Sequence, residues 1–239
     1  MERRHLAECG STNTEALAHL RQGGGPLLVS ASRQTAGRGR LGRVWQSDDA
    51  ALTFSVALPV PAELDLAGLS LAVGCTVADT LDPGGERIRL KWPNDLFLDG
   101  AKLGGILIET APLPAGERGV VIGVGLNLQP LPADADRRAF TSGHAALHTL
   151  DPDATATSAL DRLAPALRAM LADFRTLGFA AWQAAFARRD LATGQRVRVG
   201  ELTGVARGVS PRGELLLDTP AGVQACHGGE LSLRLDPAP

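Results

Sequence analysis

Residues 87–109, RIRLKWPNDLFLDGAKLGGILIE, leave the backbone few choices. Ile88, Leu90 and Trp92 alternate with Arg87, Arg89 and Lys91, the period of two of a half-buried strand. Pro93 lacks the N–H that a central strand needs to continue, so Asn94 and Asp95 fall at a strand end. Leu96–Leu98 resume an apolar run, Asp99-Gly100 reads as a hairpin turn, and Lys102 opens the returning strand. Gly104-Gly105 weaken that strand unless another backbone or a ligand comes close, so they mark either a bulge or the floor under a flat small molecule.

The same segment holds both lysines of the chain, Lys91 and Lys102, among 24 Lys and Arg residues. Drift toward arginine explains the scarcity of lysine but not why both survivors share one segment. An ammonium offers a compact point charge on a flexible stem that a guanidinium does not. At least one of the two is therefore expected to be functional.

With 239 residues, 44% of them hydrophobic, the chain can bury one good-sized core and a small second domain. A net charge of −2 gives no global electrostatic case for nucleic acid or membrane binding. No apolar run approaches the roughly 20 residues of a membrane span, and MERRHLAECG lacks the apolar segment of a secretion signal. Cys9, Cys75 and Cys226 are scattered, with no C-x-x-C spacing. The expectation is a cytoplasmic protein with no disulfide framework and no metal ligands; His144 and His148 are four apart, but the Glu of a zinc hydrolase helix is missing.

Ser11-Thr12-Asn13-Thr14-Glu15 precedes a helical pattern of Ala16, Leu17 and Leu20 closed by three glycines. Thr12 with Glu15 fits a capping box, and spacing alone favours that over a ligand-binding cluster. Pro26–Ala31 is a short strand, followed by residues 33–45, RQTAGRGRLGRVW. Gly37, Gly39 and Gly42 satisfy G-x-G-x-x-G, yet a strand-like LTFSVAL follows instead of the helix a dinucleotide fold requires, so that fold is rejected. Three readings remain for this arginine-rich loop: a solvated mobile loop, a short RNA-contacting segment, or a flap whose guanidinium forks close over phosphate or carboxylate, with Trp45 as a lid for a planar ring. The last accounts best for Gln34 and the glycines, which add neutral hydrogen-bonding capacity.

Residues 64–81 are expected to be helical, and 111–117 a proline-rich turn. In residues 120–129, Val120, Ile122, Val124, Leu126 and Leu128 face one way and Val121, Gly123, Gly125 and Asn127 the other. Two glycines and an asparagine leave either a trough or a bulge-rich edge strand. Residues 130–157 read as loop with a short helix at HAALH, and 158–177 and 179–189 as two helices covering the sheet, the first containing Pro165. From Gly194 onward, five short strands split by Gly and Pro turns suggest a small barrel.

The chain resembles the biotin protein ligases through STN at 11–13, QTAGRGRLGRVW at 34–45, KWPNDLFLDGAKLGGILIE at 91–109, GVGLN at 123–127 and GGELSLR at 228–234. The resemblance implies an α+β fold, a mixed sheet flanked by helices as in class II synthetases, with catalytic domain 1–190 and an SH3-like barrel at 191–239. It implies a ligase that activates biotin with ATP and magnesium to biotinyl-adenylate and passes biotin to a lysine of a carboxyl carrier domain. By the same resemblance Ser11, Thr12 and Gln34 hold the ureido ring with Asn13 in support, and Gly37, Arg38, Gly39 and Arg40 close over the carboxylate and α-phosphate, ordering as biotin binds. Lys102 and Arg40 are the catalytic pair, Gly105 admits the ligand, and Trp45, Asn94 and Asn127 meet adenine. Lys91 and Asp95 match the motif without an assigned role. Ten residues before Ser11 leave no room for a helix-turn-helix, so no operator binding is expected, and the chain is a monomer or homodimer.

Overall fold

The computed structural model describes residues 1–45, 47, 50–85, 87–131, 142–227 and 233–235. In chain order the strands are β1 Glu2–Cys9, β2 Leu27–Gln34, β3 Ala51–Pro61, β4 Ile88–Lys91, β5 Asp95–Leu98, β6 Ala101–Pro112, β7 Glu117–Asn127, β8 Arg196–Val199, β9 Leu202–Val209, β10 Leu215–Thr219, β11 Gly222–Cys226 and β12 Leu233–Leu235. The helices are α1 Thr12–Arg21, α2 Leu69–Leu81, α3 Ala156–Leu177 and α4 Gln183–Arg189. The chain divides into two compact units, one of Met1–Leu64 with Ala101–Ala164, the other of Asp65–Gly100 with Pro165–Pro239. The structure is thus mixed α+β, as the sequence implies.

The first unit is built on a sheet in the order β1-β2-β3-β7-β6, with β1 and β2 parallel and the other neighbours antiparallel. Residues 2–9 carry no sequence pattern that announces an element. Strand β1 is an edge strand dense in exposed charge, Glu2, Arg3, Arg4 and Glu8, which blunts the edge and hides the alternation. Register aligns the side chains into rows, since residues directly opposite share a face. One row runs Leu27, Ala57, Val121, Glu109; the next Val29, Ser55, Gly123, Leu107; the third Ala31, Thr53, Gly125, Gly105. Helix α1 covers the apolar end of this face: Ala16 and Leu20 pack with Leu27, Val29, Ala57 and Val121. Burying such side chains contributes roughly 1.5–3 kcal/mol each. The opposite face buries Leu28, Phe54, Val56, Ile122, Val124 and Ile106.

In the second unit β4 and β5 form the hairpin read from the sequence, with Ile88, Leu90 and Trp92 buried and the interleaved residues half-buried. Asp99 and Gly100 follow β5 with φ of 50° and 84°, the left-handed backbone of a two-residue turn. Helix α2 begins at Leu69 rather than at 64: Gly68, its N-cap, sits at φ 74°, where a Cβ would also lie 2.4 Å from the Phe179 ring. Arg189 at the end of α4 is buried and anchors the approach to β4. Its Nε donates to Asp79 (2.9 Å), Nη1 to Asp82 Oδ2 (3.2 Å) and the Ile88 carbonyl (2.9 Å), and Nη2 to the Asp82 carbonyl (2.7 Å). The five C-terminal strands fall where the sequence places them, in the antiparallel order β11-β10-β9-β8-β12. No pairing joins β11 to β12 among the described residues, so the expected barrel is here an open sheet. Most of GGELSLR lies outside the described residues.

Candidate functional site

Where the rows of the first unit's sheet leave the cover of α1, their side chains shrink to Gly123, Gly125 and Gly105 beside Ser55 and Thr53. This is the trough that the alternation in 120–129 foresees, and two side chains reach over it. A Cβ on Gly123 would lie 2.4 Å from Asn13 Oδ1, and one on Gly125 2.5 Å from the Trp45 indole. Gly104 serves packing instead: its Cβ would strike the Gly125 carbonyl at 2.3 Å.

The start of α1 supplies the polar wall. Ser11 is the N-cap, but it makes no side-chain cap bond, and the capping-box reading of Thr12 and Glu15 is overturned. The Thr12 amide donates to Gln34 Oε1 at 2.8 Å, and the Thr12 hydroxyl lies 3.1 Å from the same oxygen. Ser55 Oγ stands 2.7 Å from Thr12 Oγ1 and 2.6 Å from Asn13 Oδ1. Asn13 Nδ2 donates to Glu109 Oε2 at 2.7 Å. Ser11, Thr12, Asn13 and Ser55 are all buried, so a partner across the sheet outbids the local cap. Sequence pattern singles out neither Ser55 nor Glu109 for the site. The signal available was a serine inside the apolar run LTFSVAL and an acid closing GGILIE.

The arginine-glycine loop is tied down more than its glycines suggest. Trp45 N donates to the Gly37 carbonyl (3.0 Å) and Gly39 N to the Arg43 carbonyl (2.7 Å), closing a narrow hairpin with a 3-10 turn at Arg40–Gly42. Gly37 is required there, since a Cβ would lie 2.4 Å from the Trp45 carbonyl. Arg38 donates to Thr14 Oγ1 at 3.2 Å and meets Glu109 at 3.3 Å with 43% of its own side chain exposed, a weak pair that an incoming anion could replace. The Trp45 Nε1 is buried with no hydrogen-bond partner among the described residues.

Lys102 lies at the start of β6, its N–H donating to the Ser142 carbonyl (3.1 Å) and its carbonyl accepting from Ala145 N (2.8 Å) and Asn127 Nδ2 (3.2 Å). Asn127 also donates to the Ala145 carbonyl at 3.0 Å, so its amide nitrogen ties backbone together. Asn94, Lys91 and Asp95 belong to the second unit. Asn94 occupies the turn between β4 and β5, fixed by Ser70 Oγ donating to the Pro93 carbonyl (2.9 Å) and Trp92 Nε1 to the Gly213 carbonyl (2.9 Å). Lys91 stands opposite Asp95 in the ladder, with its Nζ 5.6 Å from the centre of the Phe97 ring.

Chemically, the trough offers donors and acceptors for a small polar ring and guanidinium groups for an anion. Cys9, at the end of β1, is a poor nucleophile: burial, then Glu15 and Glu8, push its thiol up. His144 and His148 contact the backbone carbonyls of Gln129 (3.2 Å) and Ala154 (2.7 Å). Because Asn13 is held on two sides, Gly123→Ala should force it out of place. We expect a stability loss of about 1–3 kcal/mol, as for other overpacked sites, together with weakened binding of the site's ligand. Unchanged ligand affinity by calorimetry would show that Asn13 does not shape the trough.

Residues 8–127 match the model of the biotin/lipoate A/B protein ligase family, and 193–234 that of the biotin protein ligase C-terminal domain. The chain is 34% identical to the biotin–acetyl-CoA-carboxylase ligase of Paracoccus denitrificans over 95% of its own length and 98% of that protein's. It is 32% identical to the bifunctional ligase/repressor of Escherichia coli over 85% of this chain and 65% of that one. Among solved structures it is similar to the biotin protein ligase of Aquifex aeolicus in complex with biotin and ATP, at 27% identity and a TM-score of 0.82, covering 98% and 99% of the two chains.

Proposed function

The chain belongs to the biotin protein ligases, and from that premise we propose that it charges a carboxyl carrier domain with biotin and does not act as a repressor. A carboxylate oxygen of biotin attacks the α-phosphorus of ATP, the α–β phosphoanhydride bond breaks and pyrophosphate leaves. The neutral ε-amine of one carrier lysine then attacks the acyl carbon, the acyl–oxygen bond breaks, AMP leaves and the amine's proton passes to solvent. Neither step needs a nucleophile from the enzyme. Its tasks are orientation and charge stabilisation.

The observation that carries this reading is the glycine-floored trough with the Thr12–Gln34–Ser55–Asn13 network at one end and Arg38 above it. Ser11, Thr12 and Gln34 are assigned to the cyclic urea, with Asn13 behind them. Gly37, Arg38, Gly39 and Arg40 close over carboxylate and α-phosphate; Lys102 and Arg40 stabilise the reacting oxygens, and Gly105 lets the ligand lie close. Trp45 and Asn94 are assigned to adenine together with Asn127, whose carbonyl oxygen suits the exocyclic amine. Magnesium is assigned to the ATP phosphates, with which it arrives.

We assign residues 1–190 to catalysis and 191–239 to the appended β domain. No helix among the described residues is long and apolar enough to cross a membrane, which accords with a cytoplasmic enzyme. The Paracoccus relative, matched over 98% of its length, is named for ligase activity alone, which supports the absence of a repressor role. The test is the intact mass of a carrier domain incubated with the protein, biotin, ATP and magnesium. One biotinyl group should be gained, and none when the carrier lysine is arginine; no gain would refute the transfer. Specific retardation of biotin-gene upstream DNA in a gel shift would refute the ligase-only assignment.

A further inference from the structure

We propose that Glu109 is a resident counter-ion that holds Arg38 and yields it to the carboxylate of the acid, and that it thereby sets how strongly the recess prefers an anion over a neutral ligand. The inference rests on the reading of the site just given, and Glu109 acts in it as a positioning residue, through Arg38. Glu109 lies on the glycine face of β6, two positions beyond Leu107 and four beyond Gly105. Two side chains donate to it there. Asn13 Nδ2 stands 2.7 Å from Oε2, and Arg38 Nη2 stands 3.3 Å from both Oε1 and Oε2.

The two contacts differ in kind. An arginine that binds a carboxylate well presents two parallel N–H groups to two oxygens at about 2.7–2.9 Å. Here Nη2 alone faces both Glu109 oxygens, at the longer distance, while Nη1 and Nη2 also reach Thr14 Oγ1 at 3.2 Å. The guanidinium is shared among three acceptors and matched to none of them. With 43% of the Arg38 side chain and 28% of the Glu109 side chain exposed, water can replace either partner when the pair separates. A carboxylate in the recess can take the fork with two N–H groups, the better geometry. Glu109 is not stranded by the exchange, because Asn13 still donates to it at 2.7 Å. Its charge nevertheless opposes the step: an acid has to displace another carboxylate, whereas a neutral ligand of the same shape leaves the Arg38–Glu109 pair in place.

The experiment measures by calorimetry the binding of biotin and of biotinol, in which a primary alcohol replaces the carboxylate, with a melting curve for each protein. The proteins are the wild type, Glu109→Gln, Glu109→Asp, Arg38→Met and the double variant of Glu109→Gln with Arg38→Met. In Glu109→Gln the competing charge is gone while an acceptor for Asn13 remains. The preference for biotin over biotinol should rise by about two- to five-fold, the weight of one partly exposed ion pair. Glu109→Asp keeps the charge and should stay nearer the wild-type preference than Glu109→Gln does. Arg38→Met should lower the preference, and in that background Glu109→Gln should no longer raise it, because the two carboxylates have nothing left to compete for. Glu109→Ala removes the charge by a second route and decides the matter should Glu109→Gln fail to fold. A Glu109 that is only structural, acting through Asn13, would weaken both ligands together. An unchanged preference in folded Glu109→Gln or Glu109→Ala therefore overturns the inference. So does a rise of equal size with and without Arg38, which would mean direct repulsion between the two carboxylates. A preference that Arg38→Met leaves untouched refutes instead the assignment of Arg38 to the carboxylate, and a wild type that binds no biotin refutes the site itself.

Discussion

Lys102→Gln should slow formation of biotinyl-adenylate by about 10²–10³-fold, the usual loss when one preorganised donor to a developing charge is removed. The local fold should persist, because the backbone of residue 102 is held at the start of β6 by its N–H to the Ser142 carbonyl and by its carbonyl to Ala145 N and Asn127 Nδ2. These three bonds survive the substitution, so the variant should still unfold cooperatively in a melting curve. Single-turnover kinetics with excess enzyme isolates the chemical step from product release. Near-normal adenylate formation in this variant would remove Lys102 from its assigned role, and a collapsed melting temperature would show that its side chain is structural.

Arg189→Met should cost about 3–5 kcal/mol of stability, the scale seen when one member of a buried pair is deleted and the other is left behind. The side chain of Arg189 is 4% exposed and that of Asp82 9%, so neither charge has water to fall back on. Asp82 Oδ2 would keep only the N–H groups of Arg87 (3.0 Å) and Ile88 (2.8 Å). The same cluster fixes the acid response. Burial alone would raise the Asp82 carboxyl, but the Ile88 and Arg87 N–H groups and the Arg189 guanidinium together outweigh it and hold it below the usual carboxylate range. The unfolded chain then takes up this proton more readily than the folded one. The contribution of Asp82 is complete above the unfolded value, near pH 4, and is lost as pH falls through the lower folded value. Urea midpoints between pH 7 and 2 should therefore fall more steeply in acid for wild type than for Arg189→Met. A loss below 1 kcal/mol at pH 7, or parallel acid profiles, would contradict this account of the cluster.

The features legible in the sequence are those that repeat or turn within a few residues. Strands β4, β5 and β7 announce themselves by alternation, Asp99-Gly100 by its turn chemistry, and the C-terminal strands by glycine and proline spacing. Strand β1 escapes because an edge needs charge and charge erases the pattern. Thr12 misleads for a different reason: its hydroxyl suits a cap, but Gln34, 22 residues away, and Ser55, 43 away, bind it in the folded chain. Glu109 and Ser55 gain meaning only through register, which sets Ser55 opposite Gly123 and places Glu109 where it meets Asn13. The motif resemblance supplied the ligand; local pattern alone gave a trough for a flat ring and arginines for an anion.

The central claim is that the glycine-floored face of the first unit activates biotin as an adenylate. Biotin-dependent exchange of labelled pyrophosphate into ATP tests it most directly, with lipoate and octanoate run beside biotin as competing acids. The account predicts exchange with biotin alone, abolished to near background in Lys102→Gln. Exchange supported by lipoate or octanoate in place of biotin, or by no acid at all, would contradict it.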